Sequence, residues 1–233
     1  MPSMLEQWES GHWVANAQDN AMIVIGVASR DIRRENEIYA AKTDAAMKVA
    51  MYYGFKVNTE YFERISNDIF DNIFDSRSSF EHVVQYEQFI DKLTFDPVND
   101  VIIHDRGTIV RFSFPEIVVP VIFTGIINNN GRPNWLNNRN LPDINGYMIA
   151  AGFSMKQEWL RDTVMRSAAN AAARLMGNMS TSIENIIIDV VGLAAISYIY
   201  TTSEGVLYDF RVLEFWIDPE NGDVYTLAIA RYL

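Results

Sequence analysis

The chain has 233 residues, 49% of them hydrophobic, with a formal net charge of −11 and no cysteine. That length and apolar content are enough to bury a sizeable core in one or two domains. The acidic balance, with no basic cluster to neutralise several phosphates, argues against nucleic acid and anionic membrane surfaces as partners, and the missing thiols exclude disulfides, thiolate metal sites and cysteine nucleophiles.

In chain order, residues 1–20 carry Trp8 and Trp13 in a polar setting and read as a lead-in segment packed on a first domain. They show neither the basic nor the apolar region of a signal peptide. Residues 21–29, Ala-Met-Ile-Val-Ile-Gly-Val-Ala-Ser, are a buried strand. A charged connection then leads to a helix over 35–53, with its apolar stripe at Ile38, Ala41, Ala45, Val49 and Tyr52, ended by Gly54. Tyr61, Phe62, Ile65, Ile69, Phe70, Ile73 and Phe74 are spaced as a second helix, with Asp68, Asp71 and Asp75 on its other side. That acidic row is either a cation site or a solvated face; without a glycine turn or carbonyl-rich loop, the solvated face is favoured. Residues 78–95 lean towards strand, and 101–114 form a β-hairpin turning at His104-Asp105-Arg106-Gly107.

Residues 117–127 are apolar but broken by Pro120 and Gly125, which suits an edge strand or an inter-domain segment. The asparagine-rich stretch 128–145 reads as a linker. Residues 146–154 are a second buried strand. From Lys156 the period becomes helical, with Leu160, Val164, Ala168, Ala171, Leu175, Met179 and Ile183 on one stripe. Residues 186–202 and 205–217 read as strands, Asp218-Pro219-Glu220-Asn221-Gly222-Asp223 as a turn, and 224–232 as the closing strand. The apolar run 186–200 is interrupted by Asp189 and too short to cross a bilayer.

The strand and helix of the second half echo those of the first. Sliding the chain so that Gly26 falls on Gly152 also places Ala45-Ala46 on Ala171-Ala172, Lys48 on Arg174 and Val49 on Leu175, without a gap. The fold expected is therefore α+β: two tandem repeats, each an amphipathic helix packed on a mainly antiparallel sheet, covering 1–127 and 146–233 about the linker 128–145.

The motifs that carry chemistry are missing. There is no phosphate-cradling Gly-rich loop with Lys-Ser/Thr, no Gly-x-Gly-x-x-Gly, no Gly-x-Ser-x-Gly and no His-Glu-x-x-His, and His12, His82 and His104 lie far apart. No catalytic residue, metal site or cofactor is expected. Asp218, Glu220 and Asp223 depart from a calcium-loop spacing and are explained by the turn. Trp135, beside Pro133, and Trp216, before the final turn, are the candidates to stack a small ligand in a cleft between the repeats; large aromatics at strand ends serve equally as core plugs.

Several of these residues carry a family resemblance. Pro133-Asn134-Trp135, the strand ending Ala151-Gly152-Phe153-Ser154, the helix through Ala168, Ala172 and Leu175, and the terminal Phe215-Trp216-Ile217-Asp218-Pro219 with Gly222-Asp223-Val224-Tyr225-Thr226-Leu227-Ala228 resemble the bacterial Lpp-twenty lipoprotein family, related to a domain of the flagellar protein FlgT. The match is best over 133–233. The chain departs from that pattern in lacking a lipobox cysteine and in carrying two copies. The resemblance implies a non-catalytic protein of the periplasm or the inner face of the outer membrane, acting in envelope or flagellar-motor assembly. A protein partner or self-association is then expected, through the apolar segment with Ile117, Val119, Val121, Ile122 and Phe123. A small ligand is the alternative.

Overall fold

The computed structural model describes residues 3–15, 17–18, 21–65, 74–122, 127–128, 131–136, 141, 143–179, 185–191 and 194–231. Helix α1 (Met4–Ser10) starts on a reciprocal cap: Ser3 Oγ accepts from the Glu6 N–H and the Glu6 carboxylate from the Ser3 N–H. Gly11, at φ 65°, ends it, and two short strands follow, β1 (His12–Val14) and β2 (Ala17–Gln18). Strand β3 (Ala21–Ser29) feeds helix α2 (Arg34–Tyr53), which ends at Gly54. Then come β4 (Phe55–Ile65), β5 (Phe74–His82), the single turn α3 (Glu87–Ile90), β6 (Val101–His104) and β7 (Gly107–Phe114). After a 3-10 turn at Asn134–Leu136, the chain continues through β8 (Met148–Ser154), α4 (Leu160–Met179), β9 (Asn185–Val191), β10 (Ala194–Ile217) and β11 (Val224–Arg231).

The strands form two antiparallel sheets, ordered β5-β4-β10-β11-β8 and β2-β3-β7-β6, with β1 and β9 also paired to β10. The 24-residue β10 is the hub. Residues 197–200 are paired on both edges, by β4 and β9, and residues 214–216 on both edges, by β1 and β11. Between these stretches the register with β11 shifts at Tyr208/Arg211, and Asp209 takes φ 52°, so the strand bends where it changes partners. The segment β1–β2 joins the sheets: β1 pairs with β10, Ala15 N–H donates to the Leu213 carbonyl at 2.7 Å, and β2 pairs with β3.

Each helix lies on its preceding strand because a glycine lets it come close. A Cβ on Gly26 would collide with the Ala41 carbonyl, and one on Gly152 with the Ser167 carbonyl. The facing helical residues, Ala41, Ala45 and Ala46 in α2 and Ala171 and Ala172 in α4, are fully buried. Polar side chains recur at matching positions of the two units. Asp44 accepts from the Val27 N–H at 2.8 Å and Lys48 donates to the Ile25 carbonyl at 2.6 Å. Asn170 donates to the Phe153 carbonyl at 2.6 Å and Arg174 to the Ala151 carbonyl at 2.5 Å. The fold is α+β, helix on antiparallel sheet, as the periodicity predicts. The strands do not segregate by half, since β1, β4 and β5 all join the sheet of β10.

Local details differ from the sequence reading. Of the helix expected over Tyr61 to Phe74, Tyr61 to Ile65 belong to strand β4 and Phe74 opens β5, while residues 66–73 lie outside the described residues. Buried Phe55 and Val57 flank half-buried Lys56, a strand alternation, and pairing with β10 from Phe55↔Leu207 to Ile65↔Ser197 outweighs the helical spacing of the aromatics. Asp68 and Asp71 lie outside the described residues. The strand expected over 78–95 stops at His82, and α3 then buries Phe89 and, just beyond, Leu93 in the core. The single strand expected over 186–202 is an antiparallel pair, β9 and β10, and β10 runs on through Gly205 to Ile217. Gly205 is no break. The Met176 methyl of α4 occupies the space where its Cβ would stand. The 101–114 hairpin forms as expected. Residues 117–122 form no strand; the Ile117 carbonyl accepts from Met22 N–H at 2.9 Å, capping the end of β3. In the lead-in segment, Trp8 packs on His104 of the first half, whereas Trp13 stacks on Phe215 of the second, centroids 5.9 Å apart.

Candidate functional site

The last half of strand β10, from Val206 to Ile217, holds three charges inside an otherwise apolar run: Asp209, Arg211 and Glu214. Glu214 is fully buried on a sheet face covered by Trp135, Leu213, Trp216, Leu227 and Ile229. Its Oε2 takes two donors, the His12 ring at 2.6 Å and the Trp135 indole N–H at 2.7 Å, while Oε1 has no hydrogen-bond partner among the described residues. Register places this junction: β1 lies along β10 with His12↔Trp216 and Val14↔Glu214. One carboxylate thus ties the lead-in segment and the 3-10 turn at Trp135 to the hub strand.

Arg211 sits on the bend of β10, 4% exposed, with Tyr147, Tyr52 and Asp209 around its guanidinium. Its guanidinium lies 5.4 Å from the Tyr147 ring centroid, and Arg231 lies over the same ring at 4.8 Å. Arg231 pairs with Asp209 at 2.9 Å. Burial lowers the Arg211 pKa, against the pull of Tyr147, Tyr52 and Asp209, which favour the charged form. Burial, reinforced by the nearby Asp209 carboxylate, raises the Tyr52 pKa. Beside Arg211, where β3 approaches β10 and the β1–β2 segment crosses between them, a cavity of about 20 Å³ is lined by Ala15, Ile23, Ile25, Lys48, Val119 and Arg211, among others.

A third buried charge anchors the loop from β3 into α2. Glu37, fully buried, accepts from the Thr108 hydroxyl, from the Asp31 N–H at 3.0 Å and from Arg34 at 2.8 Å. Burial works to raise its pKa, but these donors outweigh it and hold the carboxyl below its ordinary value.

The two tryptophans singled out from sequence do come together, in the cluster over Glu214, but both are buried, Trp135 at 1% and Trp216 at 2% exposure. Arg132 covers the Trp216 ring at 5.5 Å. They are core residues here, and neither lines the cavity by Arg211. In the apolar segment, Ile117, Val119 and Ile122 are buried in the protein's own core, Val121 is 67% exposed, and Phe123 lies outside the described residues. The charges of β10 went unread in the sequence. Their signal was available: three charged residues within an unbroken run of apolar strand formers. Among the described residues no group of three or more His, Asp or Glu side chains is placed to hold a metal ion, and no helix is long and apolar enough to cross a membrane.

No family model, curated protein or solved structure matches the chain.

Proposed function

We propose that the protein is a non-catalytic interaction module of the bacterial cell envelope, an accessory to envelope or flagellar-motor assembly at the periplasm or the inner face of the outer membrane. It engages a protein partner or a second copy of itself by strand addition. The observation that carries this reading is the sheet extension built on β10. Strands β9 and β5 are its outer strands, β9 paired only to β10 and β5 only to β4 among the described residues. Unpaired edges of this kind are templates for another chain's strand. The resemblance of residues 133–233 to the Lpp-twenty family supplies the compartment, and the matching bonds of Asp44 and Lys48 with Asn170 and Arg174 support two copies of one unit.

Strand β9 is the place to test it, because Ile122, in the apolar segment, belongs to the core. A lysine on an edge strand opposes pairing with a further strand. Ile188→Lys is expected to shift the mass measured by light scattering towards monomer, or to abolish capture of the partner from envelope extract, with the circular dichroism spectrum unchanged. Wild-type mass and capture in a folded variant would defeat the reading.

A further inference from the structure

We infer that Asn145 is a site of spontaneous deamidation, a slow covalent change that the fold allows at one of its three Asn-Gly pairs and holds back at the other two. The reaction needs no enzyme and no cofactor. The backbone nitrogen of the glycine gives up its proton and attacks the asparagine Cγ; ammonia leaves and a succinimide ring closes. Water then opens the ring at either carbonyl, giving aspartate or, with one more backbone carbon, isoaspartate. Glycine suits the following position because it has no Cβ to crowd its nitrogen and leaves the backbone free to turn. The pairs are Asn130-Gly131, Asn145-Gly146 and Asn221-Gly222.

The attacking nitrogen must be free of a hydrogen bond, and the side chain free to swing onto it. At the first pair, the Gly131 N–H donates to the Asn128 carbonyl at 3.0 Å. At the third, the Gly222 N–H donates to the Asp218 carbonyl at 2.8 Å, and Asn221 Oδ1 accepts from the Asp223 N–H at 2.8 Å. Breaking such bonds adds to the barrier. The middle pair carries neither restraint. Among the described residues, neither the Asn145 side chain nor the Gly146 N–H makes a hydrogen bond, and both residues are exposed. They are the central residues of a β-turn closed by the Tyr147 N–H donating to the Ile144 carbonyl at 3.0 Å, with Gly146 at φ 79°. No atom stands within 4 Å of the point where a Gly146 Cβ would be. The turn leads into β8: before it, Ile144 packs in the cluster over Glu214, and after it, Tyr147 carries Arg211 and Arg231. Isoaspartate there lengthens the turn by one backbone atom and adds a negative charge two residues ahead of Tyr147.

The test follows the pairs separately, since trypsin releases them in different peptides, 112–139, 140–156 and 212–231. The folded protein is incubated at mildly alkaline pH, and samples are digested briefly and read by mass spectrometry. Conversion of Asn145 to two acid products is expected to run several-fold ahead of Asn130 and Asn221. In protein unfolded by urea the turns are gone, and the rates at all three pairs should converge. Asn145→Gln, whose longer side chain closes a ring far less readily, should hold the folded protein at its starting position on isoelectric focusing while the wild type shifts towards acid. Conversion of Asn130 or Asn221 as fast as Asn145 in the folded protein, or an Asn145 that stays intact there while the unfolded chain reacts, overturns the assignment.

Discussion

At the scale of single residues, buried charges are matched to donors with unequal completeness. Glu37 is the well-satisfied case: a hydroxyl, a backbone N–H and a guanidinium converge on its carboxylate and tie the loop before α2 to the start of β7. Its pKa is lowered in the fold, so the stability it contributes is present above the ordinary carboxylate pKa and is lost as pH falls through the lower folded value. Urea midpoints measured from pH 6 downwards should therefore decline more steeply in the wild type than in Glu37→Gln. The variant should cost about 1–3 kcal/mol at neutral pH, where it leaves Thr108 and Arg34 without their charged acceptor. Parallel acid limbs in the two proteins would contradict this account of Glu37. Such sites are nearly invisible in sequence, since Glu37 sits at an ordinary first-turn position of a helix and only the distant Thr108 reveals that it faces inward.

At the scale of elements, the two strand–helix units were legible because their determinants are local. A glycine in an apolar strand and a stripe of alanines in the next helix specify both the elements and their close approach. Gly26→Ala and Gly152→Ala should each destabilise the protein, by about 1–3 kcal/mol or more, as the new methyl pushes helix backbone away from strand. Thermal melts of both variants check this, and a wild-type Tm in either would mean that helix and strand are further apart than the structure places them. Where the determinants are distant, reading failed. The aromatics Tyr61 and Phe62 of β4 fit a helical spacing, and what makes this stretch a strand is its pairing with β10, which lies far along the chain. Residues 186–202 and 205–217 read as separate strands because nothing nearby in sequence indicates that β10 runs on through Gly205, where the Met176 methyl takes up the space beside it.

At the scale of the whole molecule, the short β1–β2 segment bridges the two sheets, and the carboxylate of Glu214 fastens its β1 end to β10. His12→Ala removes one of the two donors on that carboxylate while leaving it buried, a change of the kind that costs about 3–5 kcal/mol. Because the same residue registers β1 on β10, the loss should appear as release of the N-terminal segment: faster proteolysis ahead of Ala15 and faster amide exchange in residues 12–15, with β7 and β11 protected as before. Uniformly raised exchange throughout the chain would show that the segment is not a separable clasp. Of this arrangement the sequence showed only that a lead-in segment with two tryptophans exists. Which sheet each tryptophan meets depends on pairings between the two ends of the chain, and periodicity within a window carries no record of those.

The pairing of β1 with β10 also sets an order of events during synthesis. Trp13 has its stacking partner, Phe215, only when nearly the whole chain has left the ribosome. Until then the first sheet can assemble β3, β7 and β6 from residues already made, and β4 can pair with β5, while the other edge of β4 waits for the hub strand. A nascent chain in that state presents unsatisfied strand backbone for most of its translation. Refolding should accordingly be slow, in keeping with long-range β pairing, and the waiting strands are the natural target for a holding chaperone.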